Sequence, residues 1–218
     1  MKKKIVPREM LLPIAMTLVC NYLAYFASRA ITTNKYHYDV TMAWEEHIPF
    51  LPWTLLIYWG CYLFWVVNYV IAARGEKSSA WRFYCADFAA KCVCLLVYVL
   101  FPTTNVRPAV EGSGIFDAGM RLLYQIDAPD NLFPSIHCLT SWFCFIAVRK
   151  EERIPRWYRW TSLGLALAIC LSTLTTKQHA LVDVFGGILL AEASYFLVHK
   201  VRLDLVYERG LGRFGKKD

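Results

Sequence analysis

The chain has 218 residues, of which 57% are hydrophobic and 16% are aromatic, and its mean hydropathy is +0.34. This composition is too apolar for a soluble domain of this length and too varied for a fibrous protein. The formal net charge of +7 could suggest a nucleic-acid partner. The basic residues, however, fall in alternate segments between apolar runs and form no continuous basic stripe, so we expect no nucleic-acid binding. We expect an integral membrane protein.

Six apolar stretches approach the ~20 residues that an α-helix needs to cross a bilayer. The fourth stretch is short, and a polar motif extends it. The sequence therefore predicts an all-α, polytopic membrane protein, with one domain over residues 1–218 that forms a six-helix transmembrane bundle. In chain order the stretches cover residues 9–28, 48–73, 83–102, 134–149, 159–176 and 179–199.

Lysines and arginines are distributed unequally between the two sets of connections. If the N-terminus is cytoplasmic, 18 of the 24 basic residues lie in cytoplasmic segments, five lie on the opposite face, and Lys91 lies within the third span. Because cytoplasmic segments of membrane proteins carry an excess of lysine and arginine, this bias predicts that both termini are cytoplasmic. The basic N-terminus also resembles a secretory signal, but the apolar run that follows is long for a signal core. We expect a multi-pass protein of the cell membrane.

Charged residues within the predicted spans are costly unless they are paired. Asp87 and Lys91 are four residues apart in the third span, so they lie on the same helix face, and we expect a structural ion pair. Glu192, at a similar depth in the sixth span, is a second candidate partner for Lys91. The eight cysteines also lie inside or at the edges of the spans, which indicates apolar packing and no disulfide framework.

The longest outer connection covers residues 103–133 and carries Arg107 and Arg121 together with several acidic residues. A loop of this length between packed spans is usually functional or mobile. We expect selectivity for the substrate to reside there.

The first candidate motif, Asn-Leu-Phe-Pro-Ser-Ile-His, lies at the head of the fourth span over residues 131–137. A proline suits the first position of a helix, so we expect the helix to begin at Pro134 and to leave the amides of Ser135, Ile136 and His137 unpaired. Such amides, the helix dipole and the Ser135 hydroxyl can bind phosphate oxygens. His137 would then lie beside the bound group with a proton to donate.

The second candidate motif, Lys-Gln-His-Ala-Leu-Val-Asp, lies at the head of the sixth span over residues 177–183. One helical turn would place the Asp183 carboxylate beneath the His179 imidazole. Asp183 could bind one ring nitrogen and orient the other toward phosphorus, which makes a histidine a base or a nucleophile. Gly186 and Gly187, one turn later, permit close helix packing that would hold the site in place.

The two motifs reach the same membrane face if successive spans alternate in direction, and the charge bias places that face outside the cytoplasm. Arg107 and Lys177 lie on the same face and would favour an anionic substrate. Considered singly, each histidine could instead be an interfacial residue that caps a helix, and Asp183 could pair with Lys177 or with solvent. A metal site of His137, His179 and Asp183 is possible in ligand type, but the nearby cations would repel the ion, so we expect no metal.

Three short motifs together resemble those of the type 2 phosphatidic acid phosphatase superfamily. Phe-Pro-Ser-Ile-His at 133–137 resembles its second motif, and the stretch from Ser172 through His179 to Asp183-Val184 resembles its third. Arg107-Pro108 resembles the end of its first motif. The resemblance covers roughly residues 100–190.

The entry to the second span, Ile48-Pro49-Phe50, is similar to the branch of this superfamily that includes inositol phosphorylceramide synthases. Two phosphate-binding cations of the family pattern are replaced here. Leu100 occupies the position of the first-motif lysine, and Thr173 occupies that of the third-motif arginine. Lys177 could compensate from the same segment.

The resemblance implies phosphoryl transfer on a lipid without a metal or other cofactor. His179 would attack phosphorus with support from Asp183, and His137 would protonate the leaving oxygen. Arg107 and Ser135 would bind the phosphate oxygens and stabilise the charge of the transition state. Water or another alcohol would then release the phosphohistidine.

The sequence thus predicts an extracytoplasmic lipid phosphatase whose substrate keeps its acyl chains in the bilayer. Phosphatidate, phosphatidylglycerophosphate and polyprenyl diphosphate all fit. Two alternatives stay open: a phosphotransferase that moves a phosphate-containing headgroup to an alcohol acceptor, and a non-catalytic lipid-binding or transport protein. The replacement of the family's arginine by Thr173 favours these alternatives over simple hydrolysis.

Overall fold

The apolar stretches form packed helices in a computed structural model, which describes residues 5–213. The lysines at positions 2–4, 216 and 217, which contribute to the charge bias, lie outside the described residues. The helices are α1 (Leu11–Tyr22), α2 (Ser28–Thr32), α3 (Leu55–Ala73), α4 (Lys77–Leu100), α5 (Ile115–Ile126), α6 (Ile136–Arg149), α7 (Arg156–Thr175), α8 (Leu181–Lys200) and α9 (Leu203–Leu211).

Short elements join these helices on the side of the bundle where both histidine motifs lie. A π-helical turn, Leu23–Ala27, links α1 to α2, and a 3₁₀ turn, Ala43–His47, precedes α3. Two short strands, β1 (Tyr38–Asp39) and β2 (Thr103–Thr104), pair in parallel with Tyr38 opposite Thr103. A 3₁₀ turn at Pro52–Thr54 lies on the same side, whereas the turn at Arg8–Met10 precedes α1 at the other end of the bundle.

Within the described residues, four helical segments are long and apolar enough to cross a membrane. They match the first, second, third and sixth predicted spans. Helix α6 is apolar but has only 14 residues, and it is about 21 Å long at ~1.5 Å per residue, against a hydrocarbon core of ~30 Å. The 20 residues of α7 include arginines in the first turn, and α7 is not among the four. The four segments are Arg8–Thr32, Pro52–Ala73, Lys77–Leu100 and Leu181–Lys200.

Helix α6 lies at the centre of the bundle, where it packs against α3, α4, α7 and α8. Its buried positions carry small or apolar side chains such as Cys138, Leu139 and Phe143. The eight cysteines are all free, and seven of them are buried, which confirms the prediction that they are packing residues.

The connection over residues 103–133 contains the amphipathic helix α5. Met120 and Leu123 are buried against Leu55 and Tyr58 of α3, so α5 covers the N-terminal end of that helix. The start and end of the connection are joined as well, because the Thr103 hydroxyl accepts hydrogen bonds from the amides that precede Pro134. The long connection is therefore folded onto the bundle.

The ion pair predicted within the third span is present in the centre of the bundle. Lys91 Nζ lies 3.0 Å from Asp87 Oδ2, and both side chains are buried. Thr17 on α1 donates to the same carboxylate oxygen at 2.8 Å, and Lys91 Nζ is 3.4 Å from the Tyr69 hydroxyl. The pair therefore joins α1, α3 and α4 at a depth where an unpaired charge would be costly.

The prediction that Glu192 could be a second partner of Lys91 was wrong. Helix α8 directs Glu192 toward the C-terminal half of α6, where it forms an ion pair with Arg149. Trp142 Nε1 donates to the same carboxylate at 2.7 Å. These nearer partners on α6 satisfy the charge of Glu192.

Helices α6 and α8 approach each other closely at their N-terminal ends. A Cβ atom added to Gly187 would lie 2.5 Å from the Ser135 carbonyl oxygen, and one added to Gly186 would lie 2.5 Å from the Phe133 ring. The Ser135 amide also donates to the Asp183 carbonyl oxygen at 3.0 Å. The prediction that these glycines permit close packing is confirmed, and the contact joins the two histidine motifs.

We expect Gly187→Ala to lower both thermal stability and turnover, because the added methyl group must push the α6 backbone away from α8. Overpacking of this kind costs about 1–3 kcal/mol, and the melting temperature of the purified protein in detergent measures it. Gly164→Ala in α7 is the matched control, since a Cβ there meets no heavy atom within 4 Å. Equal melting temperatures for the two variants would contradict the close contact.

Candidate active site

The two histidines of the predicted motifs face each other. His137 lies in the first turn of α6, and His179 lies two residues before α8 begins. Their ring centroids are 5.9 Å apart, with 57° between the ring planes. One small anion can therefore contact both rings.

His179 is held by Asp183. Its Nδ1 lies 3.3 Å from Asp183 Oδ2, and the Ala180 amide donates to the same oxygen at 2.8 Å. Because an ionised carboxylate only accepts hydrogen bonds, Nδ1 carries the proton and Nε2 keeps its lone pair. Burial lowers the pKa of His179, but the hydrogen bond and charge of Asp183 outweigh it and raise the pKa above its ordinary value.

Asp183 was expected to reach His179 along one turn of the same helix, and the structure differs. His179 lies outside the helix, since α8 begins at Leu181 with Ala180 as its N-cap. Asp183 lies in the first turn of α8 and reaches back over the helix end to the preceding loop. The same carboxylate therefore caps α8 and orients the imidazole, and this double role fixes the loop that carries His179.

His137 is enclosed by aromatic rings of α3. Its ring stacks on Tyr58, with centroids 4.6 Å apart, and lies 5.5 Å from the Trp65 ring. Its Nε2 is buried and has no hydrogen-bond partner among the described residues. A buried polar atom without a partner is rare in proteins and often marks a place where a ligand binds.

The N-terminal end of α6 has fewer free hydrogen-bonding groups for an anion than predicted. The helix begins at Ile136, not at Pro134, and Ser135 is its N-cap. The Ser135 amide is used by the Asp183 carbonyl, and the Ser135 hydroxyl accepts from the Cys138 amide at 3.3 Å. The prediction that the Ser135 amide is unpaired was wrong, because packing against α8 supplies it with an acceptor. Ile136 remains in the wall of the site.

Arg107 does not line the site, but it contacts two residues that do, Asp127 and Gln178. Its guanidinium donates to the Asp127 carbonyl oxygen and, at 2.7 Å, to Gln178 Oε1. It also stacks on the Tyr124 ring, with Cζ 4.8 Å from the centroid. Arg107 therefore positions the residue that precedes His179.

Lys177 lies on the opposite side of His179. Its backbone has a φ of 54°, a left-handed conformation, and its Nζ donates to the Glu45 carbonyl oxygen at 3.1 Å. The buried Thr173, at the position of the family's arginine, accepts the amides of Gln178 and His179 on its carbonyl oxygen. The loop between α7 and α8 is therefore held mainly by backbone hydrogen bonds.

Two cavities meet at His179. The first, about 520 Å³, is lined by both histidines, by aromatic side chains of α1 and α3, and by Asp127, Asp130 and Asn131. The second, about 560 Å³, is lined mainly by residues of the loops before α3, after α4 and between α7 and α8, including Glu45 and Lys177. The first cavity holds both imidazoles and is the candidate active site.

Several residues of the site were missed in the sequence. Glu45 is buried and caps α8, because its Oε2 accepts the Leu181 amide at 2.7 Å. Asp127 accepts the hydroxyls of Tyr25 and Tyr58 at 2.6 and 3.3 Å. Two of the missed residues carried a weak signal in the sequence: Asp127 lies in the long connection over residues 103–133, and Gln178 is adjacent to His179. No pattern in the sequence indicated Glu45.

The arrangement combines a histidine whose Nε2 is available with a second histidine whose Nε2 has no partner. This is the set of groups needed to attack an electrophile and to protonate its leaving group. Across residues 5–213, no three or more His, Cys, Asp or Glu side chains are grouped so as to hold a metal ion.

Comparison with known protein families places this geometry in context. The sequence model described as the PAP2 superfamily matches residues 36–197, a segment that includes both histidine motifs. The comparison with curated proteins gave no significant match. Members of the superfamily are typically phosphoesterases or phosphotransferases. Because the match covers most of the chain, the protein belongs to the PAP2 superfamily, that of the type 2 phosphatidic acid phosphatases.

Proposed function

We propose that this protein is a membrane enzyme that hydrolyses a lipid phosphate or diphosphate through a phosphohistidine on His179. Two observations together carry this proposal: Asp183 holds His179 at Nδ1, and the ring centroid of His179 lies 5.9 Å from that of His137, whose Nε2 has no partner among the described residues. No metal or other cofactor takes part in the proposed reaction.

The proposed reaction has two steps. His179 Nε2 attacks phosphorus, the bond from phosphorus to the lipid oxygen breaks, and His137 donates a proton to that oxygen. A water oxygen then attacks the phosphohistidine, the nitrogen–phosphorus bond breaks, and the proton of the water passes to His137. Asp183 stabilises the positive charge that His179 gains while it is attached to phosphorus.

The membrane arrangement that accompanies this proposal is a single domain with six crossings, formed by α1 with α2, α3, α4, α6, α7 and α8. Helices α6 and α8 pack together and meet at their N-terminal ends, so they run in the same direction, and α7, which follows α6 in the chain, runs back along α6. This direction, together with the charge bias, supports cytoplasmic termini and an active site at the outer face of the cell membrane.

A second candidate function is the transfer of a phosphate-containing headgroup to an alcohol acceptor. The observation in its favour is that no lysine or arginine lines the first cavity in the described part of the chain. Leu100, at the position of the family's lysine, is 78% exposed, and Thr173 is buried. A doubly charged phosphate monoester needs more positive charge around it than a singly charged diester does.

We expect His179→Ala to lower the rate of diacylglycerol release from lipid phosphates by at least about 10³-fold, because the nucleophile is lost. Purified protein is assayed in a metal chelator with labelled lipids, with and without an alcohol acceptor. His199→Ala, an exposed histidine at the far end of α8, is the matched control and should retain activity. Turnover in the His179 variant, or dependence on added metal, would exclude this mechanism.

We expect turnover to fall at acidic pH with a midpoint above the ordinary histidine pKa of 6.5, since His179 must be unprotonated to attack and Asp183 raises its pKa. Asp183→Asn removes that charge, so the acid limb should move to lower pH while the maximal rate falls about 10²–10⁴-fold. A pH–rate profile of both proteins measures this shift. An unchanged acid limb in the variant would contradict the role of Asp183.

A further inference from the structure

The histidine end of the first cavity presents a free amide donor, that of Gln178. Gln178 is 1% exposed and its Nε2 has no partner among the described residues. Its orientation is set by Arg107, which can only donate and therefore takes the Gln178 oxygen, Oε1. The free end of the amide is thus a donor. His137 Nε2, also unpaired, lines the same cavity.

The end of the cavity beside α1 and α2 presents acceptors. Asn131 is 7% exposed, and its Oδ1 has no partner in the described structure. Its orientation is set by Ser28, which donates its only hydroxyl proton to the Ala24 carbonyl oxygen and therefore accepts from Asn131 Nδ2. The free end of this amide is an acceptor.

A carboxylate lies beside this acceptor end. Asp127 receives hydrogen bonds from the hydroxyls of Tyr25 and Tyr58, both of which leave its negative charge in place. The neighbouring carboxylate of Asp130 differs, because it forms an ion pair with Arg29 at 3.0 Å. Arg107 reaches Asp127 only at its backbone carbonyl, outside the cavity lining. Asp127 is therefore the negative group to which a ligand in the cavity is exposed.

Aromatic rings complete this end of the cavity. Tyr22, Tyr25 and Phe26 of α1 and the following π turn line it, and the Tyr25 and Phe26 rings pack edge to face with centroids 4.8 Å apart. Aromatic faces attract cations, and they do so more strongly in a desolvated site. A carboxylate, a free amide oxygen and aromatic faces together suit a cation that carries several N–H groups.

We propose that the first cavity selects a phosphodiester lipid whose headgroup ends in a primary ammonium group. The phosphate would lie between His137, His179 and Gln178 Nε2, and the ammonium would bind Asp127 and Asn131 Oδ1. The inference rests on the phosphohistidine chemistry proposed for His179 and on the second candidate function, the transfer of a phosphate-containing headgroup, and it names the substrate class of the same site. A primary ammonium supplies three donors, whereas a quaternary ammonium supplies none and a polyol supplies no charge.

On such a substrate the same two histidines carry the reaction. His179 Nε2 bonds to phosphorus, the bond from phosphorus to the glyceride oxygen breaks, and diacylglycerol leaves with a proton from His137. The aminoalkyl phosphate stays on His179. An alcohol or water oxygen then bonds to phosphorus, the nitrogen–phosphorus bond breaks, and the acceptor's proton returns to His137.

The test compares four lipids with identical labelled acyl chains at equal mole fraction in mixed micelles: phosphatidylethanolamine, phosphatidylcholine, phosphatidylglycerol and phosphatidate. Labelled diacylglycerol is the product in every case, with or without an alcohol acceptor. We expect kcat/KM for phosphatidylethanolamine to exceed each of the others about tenfold or more, as a charged hydrogen-bonded contact provides.

Asp127→Asn keeps the shape of the side chain and removes its charge. We expect the preference for phosphatidylethanolamine over phosphatidate to fall about tenfold or more in this variant. Glu111→Gln, an exposed acid in the same outer connection and outside both cavities, is the matched control and should keep the wild-type preference. If Asp127→Asn does not fold, the wild-type preference alone decides.

The outcomes separate this inference from the proposed function. A wild-type preference for phosphatidate, phosphatidylglycerol or phosphatidylcholine, or a preference unaffected by Asp127→Asn, would overturn the headgroup assignment while leaving the chemistry of His179 intact. If no lipid is turned over, the proposed function fails. Retention of phosphatidylethanolamine over phosphatidylcholine by the His179→Ala protein, measured by native mass spectrometry, then supports or overturns the binding site by itself.

Discussion

The contact between the first turns of α6 and α8 determines the geometry of the whole site. Gly187 allows the Ser135 backbone to approach α8, and the Ser135 amide then donates to the Asp183 carbonyl. A backbone amide buried in an apolar bundle must find its acceptor within the protein. This requirement brings His137 to within 5.9 Å of His179, although the two histidines belong to different helices.

Around this contact, the charges differ from a simple cationic phosphate site. The two cations expected to serve the substrate are both engaged by backbone carbonyls, Arg107 by that of Asp127 and Lys177 by that of Glu45. Each of them stabilises a loop next to His179. The polar groups that line the first cavity are instead imidazoles, amides, tyrosine hydroxyls and the carboxylates of Asp127 and Asp130. Selectivity in such a site follows from the placement of donors and acceptors more than from net positive charge.

How far the site could be predicted depends on the distance along the chain over which its contacts act. The pairing of His179 with Asp183 was predicted because the two residues are four positions apart. The Asp87–Lys91 ion pair was predicted for the same reason. The capping of α8 by Glu45 joins residues 136 positions apart, and no local pattern indicates it.

The sequence by itself determined the positions of the long apolar helices, which fit a membrane protein, the two histidine motifs, and the membership of the PAP2 superfamily. These properties follow from hydropathy and short spacings, which are local. The tertiary structure decided that Ser135 caps α6, that Glu192 pairs with Arg149, and that Asp127 faces the cavity. Such contacts depend on the rotation of each packed helix and on the path of each loop, and neither is encoded by a short stretch of residues.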